Sequence, residues 1–218
     1  MKNNEANNID LWEKVLNELP ESYRSWFKDE RKFLHKYITK HSKVLEVGCG
    51  DGRSIKDIID ITQEVTCIDN EQKAVNDAKL NFKYYSKVKI LLAEAIDLPL
   101  ENNSFDFVLC LTTFANFGND KYKALEEMKR VLKDEGSIII SVFSEKALEE
   151  RMKIYKKLKC VIKEASKNGR VIIETNSGVI VSEQFSKKEL IEIFNKTNLK
   201  VDEIIKSGIG YICKLSKN

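Results

Sequence analysis

Three glycines at alternate positions, Gly48, Gly50 and Gly52, form the segment of this sequence best suited to hold a ligand. They follow a short apolar segment, residues 43–47, and precede a helical pattern, so they form a turn between a strand and a helix. Glycine has no Cβ, which lets the backbone turn sharply and lets a ligand approach main-chain N–H groups. The N-terminus of the following helix adds further free N–H donors. The segment therefore predicts a site for a polar or anionic ligand.

Two carboxylates accompany this glycine turn. Glu46 lies two residues before Gly48, and Asp69 lies at the end of the next predicted strand. In a β-α-β unit the ends of two adjacent parallel strands lie side by side. Asp69 is therefore expected beside the turn, where it can accept hydrogen bonds from ribose hydroxyls. The alternative is that Asp69 caps a turn or the helix that begins near Glu71.

The spacing of the glycines argues against a nicotinamide dinucleotide. The fingerprint for that ligand is G-x-G-x-x-G/A, which requires Gly or Ala at position 53 when it starts at Gly48. The chain has Arg53 there, and its third glycine comes one residue too early. A nucleotide-dependent oxidoreductase is therefore the weaker alternative.

The elements that must position these residues alternate between strand and helix. Strands are predicted at residues 43–47, 64–68, 88–92, 105–111 and 137–143, and helices at residues 54–61, 71–82 and 120–133. Such alternation implies parallel strands joined by right-handed crossovers. Two last strands, residues 200–206 and 209–215, are joined by a turn so short that they must be antiparallel.

The remaining segments are expected to flank this unit. Two helices precede it, at residues 10–19 and from a cap at Ser22 to about residue 38. Later segments are predicted as a long charged helix at residues 145–167, a hairpin at 170–175 and 178–185, and a helix from a capping box at Ser186 to about residue 198. This predicts an N-terminal helical extension, residues 1–41, and an α/β domain, residues 42–218, with a hairpin insertion at about 170–185.

Residues 44–143 resemble the class I S-adenosylmethionine-dependent methyltransferases. The resemblance is carried, in order, by VLEVGCGDG, VTCIDNE, LLAEAIDLPLENNSFDFVLC and MKRVLKDEGSIIISVF. It implies a three-layer, Rossmann-like α/β fold with a seven-stranded, mostly parallel sheet whose last strand is antiparallel. It also implies S-adenosylmethionine as the cofactor. The short turn at Ser207 and Gly208 agrees with an antiparallel last strand.

The resemblance also assigns a cofactor site residue by residue. Glu46 matches the acid that helps to hold the methionine ammonium, Asp69 matches the residue that binds the ribose hydroxyls, and Asn70 would flank the adenine. Glu94 stands where the family has aspartate, which leaves its contact with the adenine amino group open. Cys110 could instead belong to the core. The positions implied for the cofactor are Glu46, Gly48, Cys49, Gly50, Asp69, Asn70, Glu94, Ala95, Cys110 and Leu111.

The acceptor is expected to be a small molecule. Enzymes that methylate nucleobase or glutamine amines often carry Asp/Asn-Pro-Pro-Tyr/Phe after the fourth strand, but here residues 110–116 read CLTTFAN. RNA or protein as the acceptor, or a non-catalytic module that binds S-adenosylmethionine or S-adenosylhomocysteine, remain alternatives. Methyl transfer from a sulfonium needs a nucleophile held in line and little acid–base chemistry, so no catalytic residue is predicted.

The acceptor pocket is expected over the carboxyl ends of the strands, walled by the second helix, the segment 112–117 and the hairpin. Tyr23, Trp26 and Phe27 are candidates for an aromatic lid, and Thr113 and Asn116 for polar contacts. The alternative for the three aromatic residues is that they form the amphipathic face that packs the helix onto the sheet.

Composition favours a cytoplasmic enzyme without a metal or a nucleic-acid partner. Charged residues make up 33% of the 218 residues, yet the net charge is only +3 and the two signs are interleaved, so no basic stripe is expected. Residues 1–8 are polar, and no apolar run approaches the roughly 20 residues of a membrane span. The five cysteines form no CxxC pair, and with two histidines they predict buried, reduced thiols and no metal site.

Overall fold

The structure, a computed structural model, describes residues 18–62, 64–175 and 178–218. Its centre is a seven-stranded sheet with the order β3-β2-β1-β4-β5-β10-β9. The strands of this sheet are β1 (Lys43–Val47), β2 (Glu64–Asp69), β3 (Val88–Leu92), β4 (Phe105–Leu111), β5 (Leu132–Phe143), β9 (Leu199–Ser207) and β10 (Gly210–Lys217). The helices are α1 (Glu21–Tyr37), α2 (Arg53–Ile58), α3 (Gln72–Asn81), α4 (Lys121–Val131), α5 (Leu148–Lys157) and α6 (Lys187–Lys196).

The direction of the strands confirms the predicted sheet. The pairs β1–β2, β2–β3, β1–β4 and β4–β5 are parallel, whereas β10 is antiparallel to both of its neighbours, β5 and β9. Helical crossovers join the strands of the pairs β1–β2, β2–β3 and β4–β5, while residues 93–104 carry the chain from β3 to β4 without a helix. The turn between β9 and β10 contains Gly208 with a positive φ of 51°, and it reverses the chain within two residues.

Two apolar clusters cover the two faces of this sheet, which produces three layers. One cluster holds Leu125 of α4 and Phe194 of α6, and the other holds Trp26 of α1, Ile55 of α2 and Val75 of α3. The run of isoleucines in β5 serves both sides, since Ile138 and Ile140 belong to the first cluster and Ile139 to the second. Burial on both faces is why that strand is apolar without interruption.

Helix α1 lies against the sheet, and its predicted start was wrong. The helix begins at Glu21 after Pro20, and no side chain caps it. The hydroxyl of Ser22 instead donates to the Glu150 carboxylate of α5. The indole of Trp26 packs so closely on Gly210 that a Cβ at that position would overlap the ring. Residues 10–17, the body of the other predicted N-terminal helix, lie outside the described residues.

A small antiparallel sheet, with the order β6-β7-β8, replaces the second half of the helix predicted at residues 145–167. Its strands are β6 (Val161–Ala165), β7 (Val171–Thr175) and β8 (Gly178–Ser182). The single-helix prediction was wrong because α5 ends at Lys157, Lys159 adopts a left-handed φ of 56°, and the next residues pair with β7. The predicted β7–β8 hairpin is confirmed, although its turn residues 176 and 177 are outside the described part.

Arg151 fastens this small sheet to α5. Its side chain is fully buried and donates to the carbonyl oxygen of Gly169 at 2.8 Å and to the carbonyl oxygen and hydroxyl of Ser182, each at 2.9 Å. The guanidinium also lies over the ring of Phe143, 4.6 Å from its centre. The planar guanidinium of Arg151 has several N–H donors, and it therefore binds both the β6–β7 turn and the end of β8.

Candidate functional site

A cavity of about 600 Å³ opens at the carboxyl ends of β1, β2, β3 and β4. Its wall brings together most of the residues that the sequence singled out. These are Glu46, Gly48, Cys49, Gly50, Asp69, Asn70, Glu94, Ala95, Leu111, Thr113 and Asn116. Open parallel sheets bind ligands at this edge, so the location agrees with the expectation from topology.

The glycine turn is anchored to the end of β2. The N–H of Gly50 donates to Oδ2 of Asp69 at 2.8 Å, and the N–H of Glu71 donates to Oδ1 of the same carboxylate at 3.0 Å. The N–H groups of Gly48 and Cys49 both donate to the carbonyl oxygen of Ile68, at 2.8 and 3.0 Å. Asp69 therefore shapes the turn, and each of its oxygens keeps a lone pair for a ligand.

Two of the glycines are required for different reasons. Gly48 has a φ of 76°, and a Cβ there would overlap the side chain of Thr113, whose hydroxyl donates to the Gly48 carbonyl oxygen at 2.8 Å. Gly50 has a φ of 57°, but a Cβ there would meet no atom within 4 Å. Packing against Thr113 therefore excludes a side chain at Gly48, whereas at Gly50 the space next to the backbone is open to a ligand.

Glu46 presents a buried carboxylate oxygen that lacks a partner. One oxygen, Oε1, accepts from the hydroxyl of Ser54, while Oε2 has no hydrogen-bond partner among the described residues. Burial raises the pKa of Glu46 to about 8, and the bond from Ser54 only partly offsets this. A buried acceptor left unpaired is unfavourable by roughly 1–3 kcal/mol. A ligand that brings a donor or a positive charge to the cavity would satisfy Oε2.

A chain of hydrogen bonds links α1 to the far wall of the cavity. Arg53 donates to Oε1 of the fully buried Glu30 at 2.9 Å, and the hydroxyl of Ser141 donates to Oε2 at 2.5 Å. The N–H of Thr112 is in turn directed at that hydroxyl, 3.1 Å away, and at the Ser141 carbonyl oxygen, 3.0 Å away. Thr112 has a φ of 63°, which is unusual for a β-branched residue and marks strain beside the site.

Asn70 and Glu94 lie together at the rim of the cavity. The amide of Asn70 donates to Oε2 of Glu94 at 3.2 Å, so two residues predicted to contact the same part of a ligand are neighbours. Both side chains come from segments directly after strands, β2 and β3, which lie side by side in the sheet.

Four of the candidates lie away from the cavity wall. Cys110 is fully buried in the core, and burial raises the pKa of its thiol. Tyr23 and Trp26 pack beneath α1 on the sheet, as the alternative interpretation of these aromatic residues expected. Phe27 does not line the cavity, but it contacts a residue that does: the centre of its ring lies 4.4 Å from the guanidinium carbon of Arg53.

Two of the three segments predicted as walls of the pocket line the cavity. Thr112 and Phe117, at the two ends of the predicted segment 112–117, both lie on its wall, whereas no described residue of the second predicted helix, α1, does so. Arg53, used only to exclude a dinucleotide, also lines the wall. The hairpin contributes Val179, Ile180 and Val181 of β8, which we call the apolar lip. The sequence predicted this hairpin as a wall of the pocket, and the structure places its strand β8 at the cavity.

The charge of the wall is strongly negative. Among the described residues that line the cavity, the only cationic side chain is that of Arg53, and its guanidinium is already paired with Glu30. The wall carries the carboxylates of Asp51, Asp69, Glu71, Glu94 and Asp120, in addition to the buried carboxyl group of Glu46, whose pKa burial raises to about 8. Such a field favours cationic or neutral ligands over anions.

Comparisons with known proteins agree with this geometry. Residues 45–140 match the model of a family described as a methyltransferase domain. An uncharacterized protein of Methanocaldococcus jannaschii is 31% identical over 157 residues, which cover 66% of this chain and 69% of that protein. A demethylmenaquinone methyltransferase of Staphylococcus aureus is 31% identical over 138 residues. That match covers 62% of this chain and little more than half, 56%, of the staphylococcal protein.

A solved structure shares the fold. The crystal structure of a SAM-dependent methyltransferase from Aquifex aeolicus superposes with a TM-score of 0.67 at 21% identity, over 94% of this chain and 97% of that one. Among the helices in the described ranges, none combines the length and the apolar character that a membrane span requires.

Proposed function

The chain belongs to the class I S-adenosylmethionine-dependent methyltransferases, and from that membership we propose that it methylates a small molecule held in the cavity beside the glycine turn. S-adenosylmethionine is the methyl donor of this family. When bound, it supplies a methyl group that is already activated on a sulfonium, so the protein's task is to hold, orient and exclude water.

The observation that carries this proposal is the unpartnered Oε2 of Glu46 on the cavity wall. The methionine part of the cofactor carries an ammonium group, which is the donor and the charge that this buried oxygen lacks. An adjacent cation would also favour the carboxylate over the protonated form that burial imposes. The residues present therefore fit the cofactor.

The remaining contacts follow from the placement of the wall residues. Gly48, Cys49 and Gly50 would lie along the cofactor's carboxypropyl and ribose region, where the open space at Gly50 permits close approach. Asp69 would accept from the ribose hydroxyls with its free lone pairs. Asn70 and the rim residues Glu94 and Ala95 would border the adenine. The carbonyl group of Leu111, at the end of β4, would lie towards the ammonium, whereas the buried Cys110 would make no contact.

The acceptor would occupy the part of the cavity between the β4 loop and β8. Thr113 and Asn116 offer polar groups there, and the apolar lip offers aliphatic surface. Transfer there would rest on orientation and desolvation of the acceptor beside the sulfonium. The name demethylmenaquinone methyltransferase, printed for staphylococcal relatives, supports a small organic acceptor.

Calorimetry on ligand-free protein tests the cofactor half of the proposal. We expect saturable heat with S-adenosylmethionine and with S-adenosylhomocysteine, and none with NAD. A panel of neutral and cationic small acceptors, with RNA and protein extracts as comparison arms, then tests the acceptor half by transfer of a labelled methyl group. Label found only in RNA or protein would reject the small-molecule proposal and leave the cofactor assignment standing.

A further inference from the structure

Aliphatic side chains stand exposed where the small antiparallel sheet meets the cavity. Val179 is 63% exposed and Ile180 is 38% exposed, although both are β-branched and apolar. Both also line the cavity, together with Val181. Scattered apolar residues on a surface are ordinary, whereas contiguous ones that also line a cavity are typical of a ligand-binding groove.

The lip is held in place by the main body of the protein. The N–H of Glu183, just after β8, donates to the carbonyl oxygen of Ala115 at 2.9 Å, and Glu183 pairs with Lys121 at 2.8 Å. Arg151 fixes the end of β8 from the other side through Ser182. The aliphatic surface therefore has a defined position relative to Asn116 and Thr113, the polar candidates on the neighbouring loop.

On the basis of the proposed function, we infer that the acceptor is a neutral or cationic amphipathic molecule. Its apolar part lies along Val179, Ile180 and Val181. Its polar, methyl-accepting end points inward to Thr113 and Asn116. The negative field of the wall disfavours an acceptor that carries a carboxylate or a phosphate, because the guanidinium of Arg53, the one cation among the described wall residues, is already paired with Glu30.

The small sheet supplies a matched control position. Val161 on β6 is 53% exposed and pairs with Glu174, which pairs on its other side with Val179. Val161 and Val179 thus lie in one row of the same sheet, with the same side chain and similar exposure. Val161 does not line the cavity. If apolar molecules bound non-specifically to this sheet, substitution of either valine would weaken their binding equally. If the site is an acceptor site, only the substitution at Val179 should do so.

A homologous series of 4-alkylphenols, from methyl to hexyl, is the probe. Dissociation constants are measured by calorimetry on the full chain saturated with S-adenosylhomocysteine, with the corresponding 4-alkylbenzoates as anionic counterparts. We expect affinity to rise by about two- to fourfold for each added methylene, in line with the transfer free energy of a buried CH₂. The benzoates should bind at least tenfold more weakly than phenols of equal chain length.

The variants decide whether the lip is responsible. Val179→Asn should abolish the dependence on chain length, Ile180→Asn should reduce it, and Val161→Asn should leave it as in the wild type. A flat chain-length series, equal effects of Val179→Asn and Val161→Asn, or benzoates that bind like phenols would each overturn the inference. If S-adenosylhomocysteine binds normally in these experiments, the proposed function survives that failure; if it does not bind at all, both fail.

Discussion

The N–H of Gly50 and the carboxylate of Asp69 are joined by a hydrogen bond of 2.8 Å on the wall of the cavity. The bond connects the turn after β1 with the end of β2, and the two strands are direct neighbours in the sheet. Asp69 thereby has two tasks, since it holds the turn in shape and offers its remaining lone pairs to a ligand.

Asp69→Ala and Gly50→Val should each weaken binding of S-adenosylmethionine at least tenfold. The first change removes the acceptor of two backbone N–H groups and, under the proposed function, of the ribose hydroxyls. The second puts a β-branched side chain at a φ of 57° and into the open space beside the turn. Calorimetry gives the affinities, and Asp69→Asn, which keeps one carbonyl oxygen, should lie between Asp69→Ala and wild type. Wild-type affinity in the alanine and valine variants would contradict the assignment.

Gly48→Ala should weaken S-adenosylhomocysteine binding about tenfold and lower the free energy of unfolding by about 1–3 kcal/mol. The added Cβ overlaps the side chain of Thr113, and overpacking of this kind has that typical effect. The double variant Gly48→Ala/Thr113→Ala should recover part of the loss, because the two side-chain atoms nearest to the new Cβ are gone. Additive losses in the double variant, measured by urea unfolding, would show that Thr113 is not the reason for the glycine.

The sequence allowed the prediction of the parts of the site that depend on neighbours along the chain. The turn at Gly48 and Gly50 and the carboxylate of Asp69 follow from the order strand, turn, helix, strand, because parallel strands place those ends together. Likewise the capping box at Ser186 and Glu189 is confirmed, since all of its atoms lie within one helical turn.

Contacts between distant segments could not be predicted in this way. The residues of β6 carry charges typical of a helix surface, and only pairing with β7 makes them a strand. The amphipathic stripe of α1 showed that Trp26 is buried but not that Gly210 is the surface beneath it. The pairing of Glu30 with Arg53 joins two elements, and no spacing rule connects them.

Binding of S-adenosylhomocysteine should release a proton at pH 7. In the ligand-free protein, burial raises the pKa of Glu46 to about 8, so its carboxyl group is protonated at neutral pH. An ammonium beside Oε2 favours the carboxylate, so affinity should rise as pH rises from about 6 to 8. Calorimetry in buffers of different ionisation enthalpy measures the released proton. Glu46→Gln has no proton to release there, and an unchanged release in that variant would refute the role of Glu46.

The same carboxyl group should affect the stability of the ligand-free protein. Its pKa in the folded state lies above the ordinary value of 4.5, so between these two pH values the unfolded chain binds fewer protons than the folded one. The free energy of unfolding should therefore fall as pH rises from about 4.5 to about 8. In Glu46→Gln that part of the pH dependence should disappear.

Glu30→Ala should lower the free energy of unfolding by about 3–5 kcal/mol, because it leaves the guanidinium of Arg53 buried without its carboxylate. It also removes the acceptor of the Ser141 hydroxyl, which itself accepts a hydrogen bond from the N–H of Thr112. The double variant Glu30→Met/Arg53→Met removes both charges and should be more stable than Glu30→Ala. Urea unfolding measures the free energy of unfolding of both variants. A double variant that is no more stable than Glu30→Ala would show that the unpaired charge of Arg53 is not the main cause of the loss.

Arg151→Met should loosen the small antiparallel sheet without changing the affinity for S-adenosylhomocysteine. The methionine retains apolar contact with Phe143 but leaves the carbonyl groups of Gly169 and Ser182 without their donor. Hydrogen exchange should therefore accelerate in β7 and β8, and the free energy of unfolding should fall by about 2–4 kcal/mol.

Lys153→Met on the same helix is the control for this variant. Its exposed pair with Glu149 contributes little, so exchange rates and stability should stay within error of wild type. None of the hydrogen-bond acceptors of Arg151 lines the cavity, so the dissociation constant of S-adenosylhomocysteine should change by less than about twofold in either variant. Unchanged protection of β8 in Arg151→Met would show that contacts at Ala115 and Lys121 suffice to hold the lip. A large loss of cofactor affinity would instead show that the small sheet and the glycine turn are coupled.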